Sequence, residues 1–112
     1  MIGIDLVENK RMENKSLDFI QRILSTKELE KFNKITDEKR KVQYLASRFA
    51  AKEAIFKACK VGNKDLNYSD ISVLNEESNA PYIEILKYPD FKFEVSISHE
   101  ESYSIAIVMR TI

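Results

Sequence analysis

The chain has 112 residues, with eighteen lysines and arginines balanced by eighteen aspartates and glutamates, and 44% of its residues are hydrophobic. This is the composition of an ordinary globular protein, expected as one domain over residues 1–112, and its zero net charge gives no bulk attraction to nucleic acid or an anionic membrane. A single cysteine excludes an internal disulfide, and no apolar run approaches the roughly eighteen residues of a spanning helix, so the expected address is the cytoplasm.

Ile2 to Val7 reads as a strand, with Ile2, Ile4 and Leu6 on one face and Gly3, Asp5 and Val7 on the other. Both faces suit burial, which predicts an interior strand. From Ser16 the spacing becomes helical: Phe19, Ile20, Ile23 and Leu24 form one stripe, and Ser25 or Thr26 can cap a second helix carrying Leu29, Phe32 and Ile35. Thr36 or Asp37 then caps a long helix reaching about Lys60, with Val42, Leu45, Ala46, Phe49, Ala50 and Phe56 on its buried side and Gly62 ending it. Cys59, near its end, reads as a small buried hydrophobe.

The second half of the chain is strand-like. Ile71 to Leu74 and Tyr82 to Leu86 flank the turn-forming stretch NEESNAP and predict a hairpin. Phe91, Phe93, Val95 and Ile97 alternate with polar residues, and Tyr103, Ile105, Ile107 and Met109 continue the alternation after HEES, which predicts a second hairpin. The expected fold class is α+β, a largely antiparallel sheet packed against one long helix plus short helices.

Three polar residues fall where apolar ones are expected. On the long helix Glu53 lies about 40° from Phe49, within the apolar stripe, with Lys57 following at i+4, while Arg48 and Lys52 form a pair nearer the opposite side. Glu53 and Lys57 fit either a plain intrahelical ion pair or a site. Asp5, in a strand with covered faces, needs a partner: a turn to cap, or a cation shared with a second carboxylate. Oxygen ligands from separate elements suit Mg²⁺, which uses one or two protein carboxylates together with substrate phosphates. His99 continues the apolar face of its strand and reads either as a core-edge histidine or as a phosphate-facing ring.

The same residues carry a family resemblance. GIDLVENKRM (Gly3 to Met12), SRFAAKEAIFKA (Ser47 to Ala58) and VSISHEESYSIAIV (Val95 to Val108) resemble, in order and spacing, the three motifs of the bacterial holo-acyl-carrier-protein synthases, from Ile2 to about Met109. The resemblance implies the 4′-phosphopantetheinyl transferase fold. It also implies transfer of 4′-phosphopantetheine from coenzyme A to a serine of apo-acyl carrier protein, for fatty acid synthesis. By position it makes Asp5 and Glu53 the Mg²⁺ ligands, counts Asp5, Glu53 and Lys57 as catalytic, and places Arg48, Lys57 and His99 at the coenzyme. Where the family has a Gly-rich phosphate loop, this chain has VGNKD and keeps Gly62, so that Lys60 or Lys64 substitutes by charge. Arg11, Arg22 and Arg40 match positions used to dock the carrier protein; Phe19 reads equally as an apolar docking contact and as core. The resemblance further implies a homotrimer with sites between subunits. Two other function classes remain open: a domain that binds coenzyme A or the carrier without catalysis, and a structural assembly protein in which Glu53 pairs with Lys57 and Asp5 caps a turn.

Overall fold

In the computed structural model, which describes residues 1–59 and 65–111, the chain runs β1 (Ile2–Glu8), a 3-10 turn (Asn9–Met12), α1 (Leu17–Ile23), α2 (Thr26–Lys34) and α3 (Glu38–Cys59). A second 3-10 turn (Tyr68–Asp70) leads into β2 (Ile71–Asn75), β3 (Pro81–Ile85), β4 (Phe93–His99) and β5 (Tyr103–Arg110). Local chemistry sets the helix starts. Ser16 accepts from the Phe19 amide, Ser25 and Glu28 form a reciprocal capping box, and the Asp37 carboxylate accepts from the Lys39 amide. At the tip of the β2–β3 hairpin Asn79 takes a φ of 73°, the left-handed conformation that asparagine tolerates.

The α+β class and both hairpins are as expected, but the strands divide between two antiparallel sheets, one ordered β1–β5–β4 and one formed by β2 and β3. Helix α3 lies between them: it packs on β1, β5 and β4, and also meets α1, α2 and β2. The seam with β1 is tight. A Cβ added to Gly3 would stand 1.9 Å from the Ala54 carbonyl oxygen, so only glycine lets strand and helix approach this closely. Ala50, Ala54 and Ala58 are fully buried, and Ala106 and Val108 of β5 lie in the same core.

Two sequence expectations are corrected by this arrangement. First, β1 is an edge strand, and Ile2, Ile4 and Leu6 are 56%, 52% and 57% exposed while Gly3 and Val7 are buried. Tyr103, Ile105, Ile107 and Met109 of β5 are likewise exposed, whereas Ser104, Ala106 and Val108 face the helix. Strands this rich in aliphatic residues on both faces do not reveal which face the helix covers. Second, Arg48 and Lys52 are buried, not on an outer side, because α2 and β2 cover that flank of α3. Glu53 sits on a half-buried strip with Phe49 and Phe56 instead of in the densest core. Cys59 is buried and unpaired, as expected, and burial pushes its thiol pKa up. Among the described residues no helix is long and apolar enough to cross a membrane.

Candidate active site

β1 carries Asp5 on the face turned to α3, and the close approach at Gly3 brings it to the helix surface that carries Glu53 and Lys57. The Lys57 Nζ donates to Asp5 Oδ1 at 3.1 Å and to the Ile4 carbonyl at 2.9 Å. This pair is partly open to solvent, with the Lys57 side chain 54% and the Asp5 side chain 17% exposed. Lys57 therefore reaches across to the strand, and Asp5 is bound by a lysine instead of capping a turn.

Glu53 is held from another direction. The Tyr68 hydroxyl donates to Glu53 Oε1, and the Tyr68 ring stacks on Phe49 at 5.7 Å and meets Phe56 edge-on at 5.2 Å. Burial, the bond to Glu53 and the charges of Glu53 and Asp5 together push the Tyr68 phenol up to about 12, so both carboxylates act electrostatically on one phenol. Among the described residues no group of three or more acidic, histidine or cysteine side chains converges; Asp5 and Glu53 come from separate elements, and Lys57, one turn after Glu53 on α3, is the residue that reaches Asp5. Glu53 Oε2 and Asp5 Oδ2 accept no hydrogen bond among the described residues.

Arg48 and His99 meet elsewhere, in a recess of about 140 Å³ that Arg40 and Tyr44 also line, and that contains none of Asp5, Glu53 and Lys57. His99 is exposed at the end of β4, at the rim and outside the core. The Arg48 guanidinium lies 4.2 Å from the Tyr44 ring and donates to the Val73 carbonyl, Ser47 Oγ and Asn75 Oδ1. Burial pushes the Tyr44 phenol up to about 12 against the pull of the Arg48 charge. Arg11, Arg22 and Arg40 are exposed, and Phe19 is half-buried against the core with the Lys15 ammonium 4.9 Å from its ring. Lys60, Gly62 and Lys64 lie outside the described residues.

Sequence reasoning missed two groups. Tyr68 carries no local signal, since nothing in LNYSD separates a phenol bound to Glu53 from a solvent-facing tyrosine. Glu28 and Lys52 form a fully buried ion pair at 2.5 Å, and Glu28 also accepts from the Ser25 and Val73 amides. The S-x-x-E spacing of Ser25 and Glu28 signals the capping box but not this third arm. Burial, outweighing the pull of Glu28, lowers the Lys52 pKa.

Comparison with known proteins identifies the family and the fold. Residues 1–108 match the family described as the 4′-phosphopantetheinyl transferase superfamily. A holo-acyl-carrier-protein synthase of Acholeplasma laidlawii is 45% identical over 109 residues, covering 96% of this chain and 92% of its own. One of Staphylococcus saprophyticus is 40% identical over 112 residues, covering 96% and 94%. Among solved structures, a holo-acyl-carrier-protein synthase of Bacillus anthracis in complex with CoA (3′,5′-ADP) gives a TM-score of 0.87 at 33% identity, covering 97% of this chain and 93% of that one. That of Helicobacter pylori in complex with coenzyme A gives 0.82 at 32% identity, covering 99% and 100%. With its fold and nearly its whole length shared, the chain belongs to the 4′-phosphopantetheinyl transferase superfamily and is an enzyme of the holo-acyl-carrier-protein synthase type.

Proposed function

We propose that the protein transfers 4′-phosphopantetheine from coenzyme A to a serine hydroxyl of apo-acyl carrier protein in the cytoplasm, with Asp5, Glu53 and Lys57 at the reacting phosphates. The observation that carries this reading is the partly exposed Lys57–Asp5 pair across the β1–α3 seam, with Glu53 one turn before Lys57 on the same helix. Each carboxylate has one oxygen free of protein hydrogen bonds among the described residues, and both are hard oxygen donors, which fits Mg²⁺ completed by substrate phosphates. Asp5 and Glu53 would hold that ion, which when bound supplies charge neutralisation at the pyrophosphate.

The rest of the chemistry belongs to the chain. The serine Oγ attacks the β-phosphorus of coenzyme A, forming a new P–O bond. The bridging P–O bond to the α-phosphate breaks, and its electron pair leaves with adenosine 3′,5′-bisphosphate. The serine proton is relayed through water to bulk solvent, and Lys57 neutralises charge developing on the departing phosphate. The Arg40, Arg48 and His99 recess offers cationic groups and donors for the coenzyme's 3′-phosphate.

That recess lies apart from Asp5 and Glu53, so a complete site calls for a second copy of the chain. The exposed face of β1 and β5 supplies a surface for one: Ile4 opposes Ile107, Leu6 opposes Ile105 and Ile2 opposes Met109, bordered by Glu94, Ser96 and Ser98 of β4. An apolar patch with a polar border is the composition of an assembly surface, here read as that of a homotrimer with sites between subunits. Asp5→Asn and Glu53→Gln are expected to abolish transfer with folding retained. Mixing Glu53→Gln chains with His99→Ala chains is expected to restore part of it, measured as carrier modification. Near wild-type turnover in either carboxylate variant would overturn the site.

A further inference from the structure

Glu53 has three rotatable side-chain bonds and sits half-buried, where an unrestrained carboxylate would sample several rotamers. It does not stand alone. Phe49 and Phe56, one turn before and one turn after Glu53 on α3, grip the Tyr68 ring by stacking and by its edge. Tyr68 opens a 3-10 turn that is itself fixed: Asp70 accepts from the Asn67 amide and pairs with Lys87 at 3.1 Å. The phenol is therefore held in place by the same helix face whose carboxylate it binds.

We propose that Tyr68 is a positioning residue for Glu53: its hydroxyl occupies Oε1 and fixes the carboxylate so that Oε2 is left open as a preformed cation ligand. The inference rests on the two-carboxylate reading given above. Tyr68 touches neither substrate nor cation in this scheme and acts only through Glu53. Hydrogen bonds to ligating carboxylates commonly set metal affinity, and losing one costs about tenfold or more.

Tyr68→Phe removes the hydroxyl and keeps the ring between Phe49 and Phe56, so the fold is retained. The test is a titration of wild type, Tyr68→Phe and Glu53→Gln with Mn²⁺ in the presence of coenzyme A, read by the electron paramagnetic resonance signal of free Mn²⁺. Wild type is expected to bind, Tyr68→Phe to bind about tenfold more weakly, and Glu53→Gln to lose the site. In transfer assays, raising the metal concentration should restore kcat in Tyr68→Phe but not in Glu53→Gln, with KM for the carrier unchanged in Tyr68→Phe. Equal Mn²⁺ affinity in Tyr68→Phe and wild type overturns the positioning role while leaving the two-carboxylate site standing. Absence of Mn²⁺ binding by wild type overturns that site, and the inference with it.

Discussion

Replacing Lys52 by methionine would leave the Glu28 carboxylate fully buried without its cation, although Glu28 would keep the Ser25 and Val73 amides. Breaking one half of a buried pair costs about 3–5 kcal/mol, so Lys52→Met should lower the urea midpoint sharply. The double variant Lys52→Met/Glu28→Gln should recover part of that loss, because glutamine carries no charge to strand, although its amide nitrogen cannot accept and so it cannot serve both the Ser25 and Val73 amides. Equal destabilisation in single and double variants would mean that packing of the lysine stem, and not charge, is what matters. At this scale Asp5 and Glu53 stand apart from their neighbours in the sequence because each is polar on a half-covered face, and Lys57, which is exposed, is picked out by its place four residues after Glu53. Tyr68 escaped notice and Lys52 was placed on the wrong side of its helix, because a tyrosine or lysine is unremarkable until its partner, from another element, is known.

Among the elements, α3 was legible as a helix and misread in its faces. A stripe argument assumes one buried side, but α3 is covered by the three-stranded sheet on one flank and by α2 and β2 on another, so Arg48 and Lys52 are interior. The single glycine of β1 sets its distance from the strand. Gly3→Ala would drive a methyl into the Ala54 carbonyl, which cannot swing away as a side-chain tip can. A loss of about 3 kcal/mol or more is expected by chemical denaturation, together with loss of transfer, since Asp5 and Lys57 meet across this seam. A variant of wild-type stability would mean that strand and helix are not locked here. On α1 the expected effect is kinetic. Arg22 is exposed in the last turn, so Arg22→Glu should raise KM for an acidic carrier several-fold, leave KM for coenzyme A nearly unchanged, and flatten the salt dependence. Equal effects on both substrates would remove Arg22 from the docking surface.

Across the whole molecule, the alternation in β4 and β5 made their hairpin readable, yet it concealed that one face of the β1–β5–β4 sheet is exposed among the described residues. A strand with aliphatic residues on both sides is equally compatible with a helix on each face and with a helix on one and another subunit on the other. Ile105→Glu places a charge in the middle of the exposed patch, opposite Leu6, without entering the core. Light scattering is expected to show a trimer for wild type and smaller species for Ile105→Glu, with turnover falling alongside. A wild-type monomer with full turnover would refute a shared site. The central claim is the transfer itself, and the most direct measurement is the intact mass of apo-acyl carrier protein incubated with the enzyme, coenzyme A and Mg²⁺. The account predicts a gain of one phosphopantetheine group with wild type, abolished by a chelator and absent with Glu53→Gln. No gain with wild type, or a gain untouched by both chelator and Glu53→Gln, would contradict it.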